Sequence, residues 1–176
     1  VSPPTRTSGC SGIEPRNEGE PCDDGLSCTR GDSCHGGVCT TVVCEPEQQC
    51  ALHCEPGCDC HVGCRDAASC TAACEAGDSC GVDCSGAQGC TVDCKAGSRC
   101  QVGCHEAGDC GVTCGEASTC IIGCAGVADC NVNCLTESSC QVDCSAAVDC
   151  SGLFCAPGAA CIALCAGSSL FEFATC

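Results

Sequence analysis

The chain has 176 residues, of which 32 are cysteine, and its formal net charge at pH 7 is −17. With three Phe and no Trp, Tyr or Met, it has too few large apolar side chains for a conventional layered core. The negative charge argues against nucleic acid as a partner, and no apolar run approaches the ~20 residues needed for membrane insertion. An even number of cysteines allows complete pairing, which predicts a secreted or cell-surface protein in an oxidising, extracellular compartment. We expect Val1 to follow a processed end.

The first 49 residues divide into a polar lead-in and a compact cysteine-rich module. Residues 1–21 are rich in Pro, Gly and Ser, which predicts an extended segment. Residues 22–49 hold closely spaced cysteines and turn-forming pairs such as Asp24-Gly25, and we expect this module to cap the rest of the chain. The stretch CDDGLSCTRGDSCHGGVCTTVVC within it resembles short modules of secreted proteins from myxobacterium-type bacteria. The resemblance implies secretion and a bacterial source, and it implies no activity.

From Cys50 onward two cysteines return every ten residues, as in Cys60/Cys64 and Cys70/Cys74. Counted from the first cysteine of each repeat, position three is mostly Val and position eight is mostly Ala or Gly. Positions one, three and five alternate as one face of a strand does, so we expect them, with position eight, to point inward. Positions two and four should face water. This pattern predicts an all-β fold, a narrow parallel β-solenoid over residues 50–165 with ten residues per coil, about twelve coils and a length of ~58 Å.

This ten-residue repeat with two cysteines resembles the repeat of the disulfide-braced solenoids of insect antifreeze proteins, especially the midge type. The likeness covers residues 50–165 in periodicity and implies a solenoid fold. Those families carry a flat row of Thr or Tyr on one side, which binds ice. Here position two is mixed, with His61, Thr71, Gly81 and Thr91 in successive repeats. The fold is therefore the main expectation that the resemblance supports, and ice binding is a minor alternative.

Two pairings of the cysteines are open. In the first, each C-x-x-x-C closes on itself, as Cys60–Cys64, and Cys176 is left to bond another chain head to tail. In the second, each fifth-position cysteine joins the next first-position cysteine, as Cys54–Cys60, and no second chain is needed. The six-residue step survives the insertion after Cys150, whereas the antifreeze resemblance favours the first pairing. The predicted disulfide ladder contains Cys60, Cys64, Cys70, Cys74, Cys80, Cys84, Cys90, Cys94, Cys100, Cys104, Cys110, Cys114, Cys120, Cys124, Cys130, Cys134, Cys140 and Cys144.

The last segment, residues 166–176, gathers two of the three Phe residues of the chain. A stack of strands leaves a bare edge at each end, and such edges pair with other molecules unless they are covered. The segment is interpreted either as a cap folded over the last coil or as a docking surface for the next subunit. The candidate subunit interface consists of Phe154, Leu170, Phe171, Phe173, Cys176 and Cys10.

These features favour a structural protein, a stable rod that assembles with itself head to tail into a surface fibre. A monomeric binding or adhesion module is the first alternative. Metal binding is another, and its best local candidate is Cys54, Cys58, Cys60 and His61, because thiolate and imidazole at such spacing suit Zn²⁺ and softer ions. No catalytic motif occurs, so we predict neither enzymatic activity nor a cofactor.

Overall fold

A computed structural model describes residues 33–35, 38–40, 44, 46, 48–54, 59–165 and 171–172. Within these ranges the chain is all-β, and the predicted parallel β-solenoid with stacked disulfides is confirmed. The described part of the chain includes no helix that is long and apolar enough to cross a membrane. The strands are β1 (Ser33–His35), β2 (Val38–Thr40), β3 (Gln49–His53), β4 (Asp59–Gly63), β5 (Ser69–Cys74), β6 (Ser79–Asp83), β7 (Gly89–Cys94), β8 (Arg99–Gly103), β9 (Asp109–Cys114), β10 (Thr119–Gly123), β11 (Asp129–Cys134), β12 (Ser139–Cys144), β13 (Asp149–Cys155), β14 (Ala160–Cys165) and β15 (Phe171–Glu172).

The strands of the solenoid form two parallel sheets that the chain visits alternately. One sheet has seven strands in the order β15-β14-β12-β10-β8-β6-β4, and the other has six in the order β13-β11-β9-β7-β5-β3. Cys100 of β8 lies opposite Cys120 of β10, so strands pair with a step of twenty residues. One turn of the solenoid therefore takes two ten-residue repeats. The repeat length is as predicted, but the prediction of one coil per repeat is wrong: twelve strands make six turns, and the stack is ~29 Å long at ~4.8 Å per strand.

The interior between the two sheets is narrow and is filled by small side chains, as expected for a chain with so few aromatic residues. The inward positions one, three and five alternate with outward positions two and four, as predicted; in β7, for example, Cys90, Val92 and Cys94 are buried while Thr91 is exposed. The residues at position three of successive repeats form a continuous aliphatic column between the sheets. Its fully buried members include Val92, Val102, Val112, Ile122, Val132 and Val142.

The two sheets are joined by two kinds of corner, which explains why a turn needs twenty residues. A type A corner leaves the seven-stranded sheet, as from Cys64 to Cys70, and its tight turn begins at the cysteine, with Ala67 N–H donating to the Cys64 carbonyl. A type B corner leaves the six-stranded sheet, as from Cys94 to Cys100, and its turn begins one residue later, with Ser98 N–H donating to the Lys95 carbonyl. The shift of one residue changes which side chain points inward.

That shift corrects the prediction that position eight always fills the interior. In type A corners position eight is buried, as in Ala67, Ala87, Ala107 and Val127. In type B corners position eight takes the left-handed conformation and faces outward, and position nine is buried instead. The left-handed residues there are Gly77, Gly97, Ala117, Glu137 and Gly158, with φ between 53° and 84°, and the buried position-nine residues are Asp78, Ser98, Ser118 and Ser138.

The ends of the stack differ from each other. At the carboxyl-terminal end β15 adds to β14 in the antiparallel sense, with Ala163 opposite Phe171. In β13 the one-residue insertion after Cys150 is absorbed by a register shift against β11. Of the predicted cysteine-rich module, the structure describes a hairpin in which β1 pairs with β2. The predicted lead-in, residues 1–21, lies outside the described residues.

Candidate functional site

Disulfides close every corner between Cys44 and Cys161, and they are the dominant chemical feature of the molecule. Each joins a fifth-position cysteine to the next first-position cysteine, with Cα–Cα distances between 5.9 and 6.4 Å. All the cysteines predicted for the ladder take part. The alternative pairing within one C-x-x-x-C is wrong, because both of its cysteines lie along one extended strand, where four residues span ~13 Å and a disulfide requires less than ~7 Å.

The disulfides stack in two columns. Column A lies in the type A corners and contains Cys44–Cys50, Cys64–Cys70, Cys84–Cys90, Cys104–Cys110, Cys124–Cys130 and Cys144–Cys150. Column B lies in the type B corners and contains Cys54–Cys60, Cys74–Cys80, Cys94–Cys100, Cys114–Cys120, Cys134–Cys140 and Cys155–Cys161. Successive disulfides touch: the Sγ atoms of Cys44 and Cys64 are 3.6 Å apart, and so are those of Cys54 and Cys80. The interior is thus two sulfur columns flanking an aliphatic one.

The sulfurs do not form the metal site considered in the sequence analysis. Cys54 and Cys60 are bonded to each other, so neither offers a thiolate, and His61 points outward from β4. Cys58 lies outside the described residues. Several sulfur triads, such as Cys64, Cys70 and Cys84, are close enough to share an ion. Each triad includes a disulfide-bonded pair, and metal binding by cysteine requires the thiolate.

Buried serines complete the type B corners, and sequence reasoning missed them. Ser118 and Ser138 are almost fully buried, and their hydroxyls donate to the Gly115 and Leu135 carbonyls at 2.6 Å. The same carbonyl groups also accept from the backbone N–H of the serine, so each serine closes its turn with two hydrogen bonds. Asp78 takes the same place in the corner between Cys74 and Cys80. The signal was present in the sequence, because position nine of four alternate repeats holds Asp78, Ser98, Ser118 and Ser138. A search with a ten-residue period does not reveal this alternation.

The outer face of the seven-stranded sheet carries an open groove. Glycines such as Gly63, Gly81 and Gly103 form its floor, with polar residues along its edges. A Cβ atom built on Gly81 would lie 2.2 Å from His61 Nδ1, so the His61 ring occupies the space that a side chain at residue 81 would need. Long side chains in this groove therefore lean along the rod into space that a glycine leaves open. The groove is open to solvent and offers a surface for contact rather than an enclosed reaction chamber.

One ion pair crosses this groove between successive turns. Arg65 Nε donates to Asp83 Oδ2 at 2.6 Å, and Asp83 Oδ1 accepts from both the hydroxyl and the backbone N–H of Ser85. Burial acts to raise the pKa of Asp83, but the Ser85 hydroxyl, Arg65 and the Ser85 N–H together outweigh it, so the pKa lies below its usual range. Asp143 and Ser145 repeat the motif further along the rod, and hydrogen bonds from Ser145 lower the pKa of Asp143.

Outward rows with a step of twenty residues are also chemically mixed. On the six-stranded sheet, position two reads Ala51, Thr71, Thr91, Gly111 and Asn131. No continuous row of one residue type runs the length of either described sheet, so the geometry does not supply the regular surface that ice binding uses in the antifreeze families.

Of the candidate interface residues, the structure describes Phe154 and the backbone of Phe171, both at the carboxyl-terminal end of the stack. Phe154 projects from β13 with 57% of its surface exposed, and Ile162 on β14 is 42% exposed. The backbone of Phe171 forms part of β15. The other predicted members, Leu170, Phe173, Cys176 and Cys10, lie outside the described residues.

Comparisons with known proteins give no match to a family model, to a curated protein or to a solved structure. The likenesses to antifreeze solenoids and to myxobacterial modules therefore depend on the sequence patterns alone. The function has to be argued from the geometry of this chain.

Proposed function

We propose that this protein is an extracellular structural rod that assembles with itself, end to end, into a surface filament. The observation that carries the proposal is the uninterrupted series of disulfides at every corner from Cys44 to Cys161. A single disulfide stabilises a fold by ~2–4 kcal/mol, chiefly by restricting the unfolded chain. Contributions from such short, closely spaced loops do not add in full, but together they keep each corner closed even when its neighbours open. Such local resistance suits a load-bearing element outside the cell.

The compartment follows from the same chemistry. Glutathione and thioredoxin keep thiols reduced in the cytosol, where a ladder of this size would not form. None of the cysteines that the structure describes is free. This state supports secretion to the cell surface or beyond it.

The polarity of the sheets gives the proposed assembly its direction. Their strands are parallel, apart from β15, so the two ends of the rod present different surfaces, and contact between unlike ends gives an open chain rather than a closed ring. Among the described strands, β3 is outermost at one end of the six-stranded sheet and β13 at the other. The observed pairing removes the argument for a disulfide between subunits, so the proposed contact is non-covalent strand addition together with exposed apolar groups such as Phe154.

The test compares assembly of the wild type with that of two charge variants. Phe154→Asp changes an exposed apolar residue at the end of the stack, and Ile121→Asp makes the same kind of change at mid-rod, where 50% of the side chain is exposed. We expect filaments by negative-stain electron microscopy and concentration-dependent sedimentation for wild type and Ile121→Asp, with at least tenfold weaker association for Phe154→Asp. Reducing and non-reducing denaturing gels should both show monomer. Single rods at all concentrations of wild-type protein would contradict the proposal.

A binding or adhesion module is the second candidate, and the groove along the seven-stranded sheet favours it. The groove brings His61, Arg65 and His105 to one face of an otherwise acidic molecule. Pull-down from an extracellular matrix with wild-type protein and an Arg65→Ala variant separates the two functions. Loss of capture without loss of filaments would assign binding to the groove.

A further inference from the structure

The first four disulfides of column A lie close enough for the sulfurs of each one to approach those of the next. Cys44 Sγ lies 3.6 Å from Cys64 Sγ. The sulfurs of Cys64, Cys70 and Cys84 all lie within 4.8 Å of one another, and so do those of Cys84, Cys90 and Cys104. Each of these disulfides therefore has a sulfur within 4.8 Å of a sulfur of the next one along the rod.

The short distance between neighbouring disulfides is important for thiol–disulfide exchange, because exchange proceeds by direct attack of one sulfur on another. A thiolate attacks one sulfur of a neighbouring disulfide, forms a new bond to it and expels the other sulfur as a thiolate. The reaction consumes one thiolate and one disulfide and returns one of each, so it needs no net oxidant or reductant. In column A the strands are held in register by backbone hydrogen bonds with a step of twenty residues. The reacting sulfurs are thus kept together as parts of one molecule.

We propose that column A is an internal thiol–disulfide relay that carries a reductive break from the end of the rod into its interior. An external dithiol reduces Cys44–Cys50 and is itself oxidised to a cyclic disulfide. The Cys44 thiolate then attacks Cys64 Sγ, which forms Cys44–Cys64, breaks Cys64–Cys70 and leaves the electron pair on Cys70. The same step from Cys70 to Cys84 releases Cys90, and the step from Cys90 to Cys104 releases Cys110.

The burial pattern fixes where the relay starts. Cys50 is only partly buried, whereas Cys64, Cys84 and Cys104 have no exposed surface. Reductants therefore reach the end of the column, and its interior is accessible only by exchange. After the relay the turns are joined to each other by bonds such as Cys44–Cys64 and Cys70–Cys84, in place of bonds that close individual corners. Exchange itself does not change the number of disulfides, so the rod lacks only the one bond that the external dithiol reduced. This inference does not depend on filament assembly.

The first test separates reduction from exchange by pH. A phosphine reduces disulfides at pH 4, where the thiolate fraction of an ordinary cysteine is roughly ten-thousandfold lower than at pH 8. Native protein receives one equivalent of phosphine at pH 4. One half is labelled there with an acid-tolerant thiol reagent, and the other is held anaerobically at pH 8 and acidified before labelling. Peptide mapping then locates the labels and the bonds, and two protein concentrations exclude exchange between molecules.

We expect label on Cys44 and Cys50 in the pH 4 half. In the pH 8 half, label should appear on Cys70, Cys90 or Cys110 at the expense of Cys44, with Cys44–Cys64 and Cys70–Cys84 among the bonds. The Cys44→Ser/Cys50→Ser double variant, which lacks the entry disulfide, should show no such redistribution. Identical labelling in both halves of the wild type would overturn the relay.

A second variant tests the first step without any reductant. Cys50→Ser leaves Cys44 as a single thiol in contact with Cys64. We expect the Cys44–Cys64 bond and a thiol label spread over Cys70, Cys90 and Cys110. Label confined to Cys44 in the folded variant would overturn the relay independently of the phosphine experiment.

Discussion

Gly115 lies so close to the preceding turn of the solenoid that a Cβ atom on it would come within 2.5 Å of the Cys94 carbonyl oxygen. The neighbouring atoms belong to the backbone, which cannot rotate away as a side chain can. This contact shows how tightly the turns are stacked at a type B corner.

Gly115→Ala should therefore destabilise the rod, by ~1–3 kcal/mol as for other overpacked sites. Gly89→Ala is the matched control, because a Cβ there meets nothing within 4 Å. Thermal unfolding of the oxidised proteins, followed by circular dichroism, checks the difference. Equal midpoints for the two variants would show that the turns can separate at little cost.

Replacing a non-glycine residue that has a left-handed backbone conformation by glycine should stabilise a type B corner. Ala117 has a φ of 53° at a position where other type B corners have Gly77 and Gly97. A Cβ in the left-handed region costs ~1–2 kcal/mol, which a glycine at this position would avoid, less the ~0.5–1 kcal/mol that glycine loses in chain entropy. We expect Ala117→Gly to raise the thermal midpoint slightly, whereas Ala107→Gly, at a buried position of a type A corner, should lower it.

Loss of a buried hydroxyl should loosen one corner without unfolding the rod. Ser118→Ala removes the 2.6 Å bond to the Gly115 carbonyl and leaves that acceptor with fewer partners. The expected cost is ~1 kcal/mol. Amide hydrogen exchange should speed up around residues 115–118 and remain unchanged one turn away, around residues 95–98. A uniform increase along the chain would contradict a local role for the hydroxyl.

The interior should reject any large aromatic side chain. Val102 is 1% exposed between the two sheets, and the described column contains nothing larger than Ile122. Val102→Phe should prevent formation of the complete ladder, whereas Val102→Ile should fold, because Ile already occupies the equivalent position one turn on. The measurement is the number of free thiols after secretion: close to zero for Val102→Ile and several per chain for Val102→Phe.

Three carboxylates should stabilise the folded rod near neutral pH, and acid should remove their contribution to the free energy of unfolding. The pKa values of Asp83, Asp143 and Asp149 are lowered in the folded rod; at Asp149 the cause is hydrogen bonding by Ser151, first through its N–H and then through its hydroxyl. A carboxylate whose pKa is lowered on folding stabilises the folded state at pH values above its unfolded-state pKa, which is near 3.8. This contribution is lost as the pH falls through the folded-state pKa.

The thermal midpoint should therefore fall more between pH 6 and pH 2.5 in the wild type than in an Asp83→Asn/Asp143→Asn/Asp149→Asn variant. Between pH 6 and pH 4.5 the difference between the two proteins should stay nearly constant. An Asp66→Asn/Asp109→Asn/Asp129→Asn variant, with the same change in net charge, is the control. If it behaves as the first variant does, the effect reflects total charge rather than these hydrogen bonds.

The sequence pattern was sufficient to predict the fold class, because cysteine and valine at alternate positions leave only one face to bury. It was not sufficient to predict the size of the turn. Strand positions such as Val92 and Val102 are equivalent in both sheets, so they repeat every ten residues and conceal which sheet they belong to. The difference lies in the corners, where Ala107 and Ser118 take the inward place one position apart. Small residues fit either geometry, so their identity constrains the corner weakly.

The pairing of the cysteines shows the same limit. Spacing favoured the six-residue step and the antifreeze resemblance favoured the four-residue step. Only the corner geometry, which brings Cys64 and Cys70 to 6.0 Å, decides between them.

The alternation of type A and type B corners also limits how such a gene can change in length. Removing one ten-residue unit would bring each downstream segment to the opposite sheet, so that residues suited to one corner, such as Ser118, would enter the other. Removing two consecutive units restores the phase. Duplication and deletion should therefore be tolerated in blocks of twenty codons, and a rod of chosen length is best engineered in those steps.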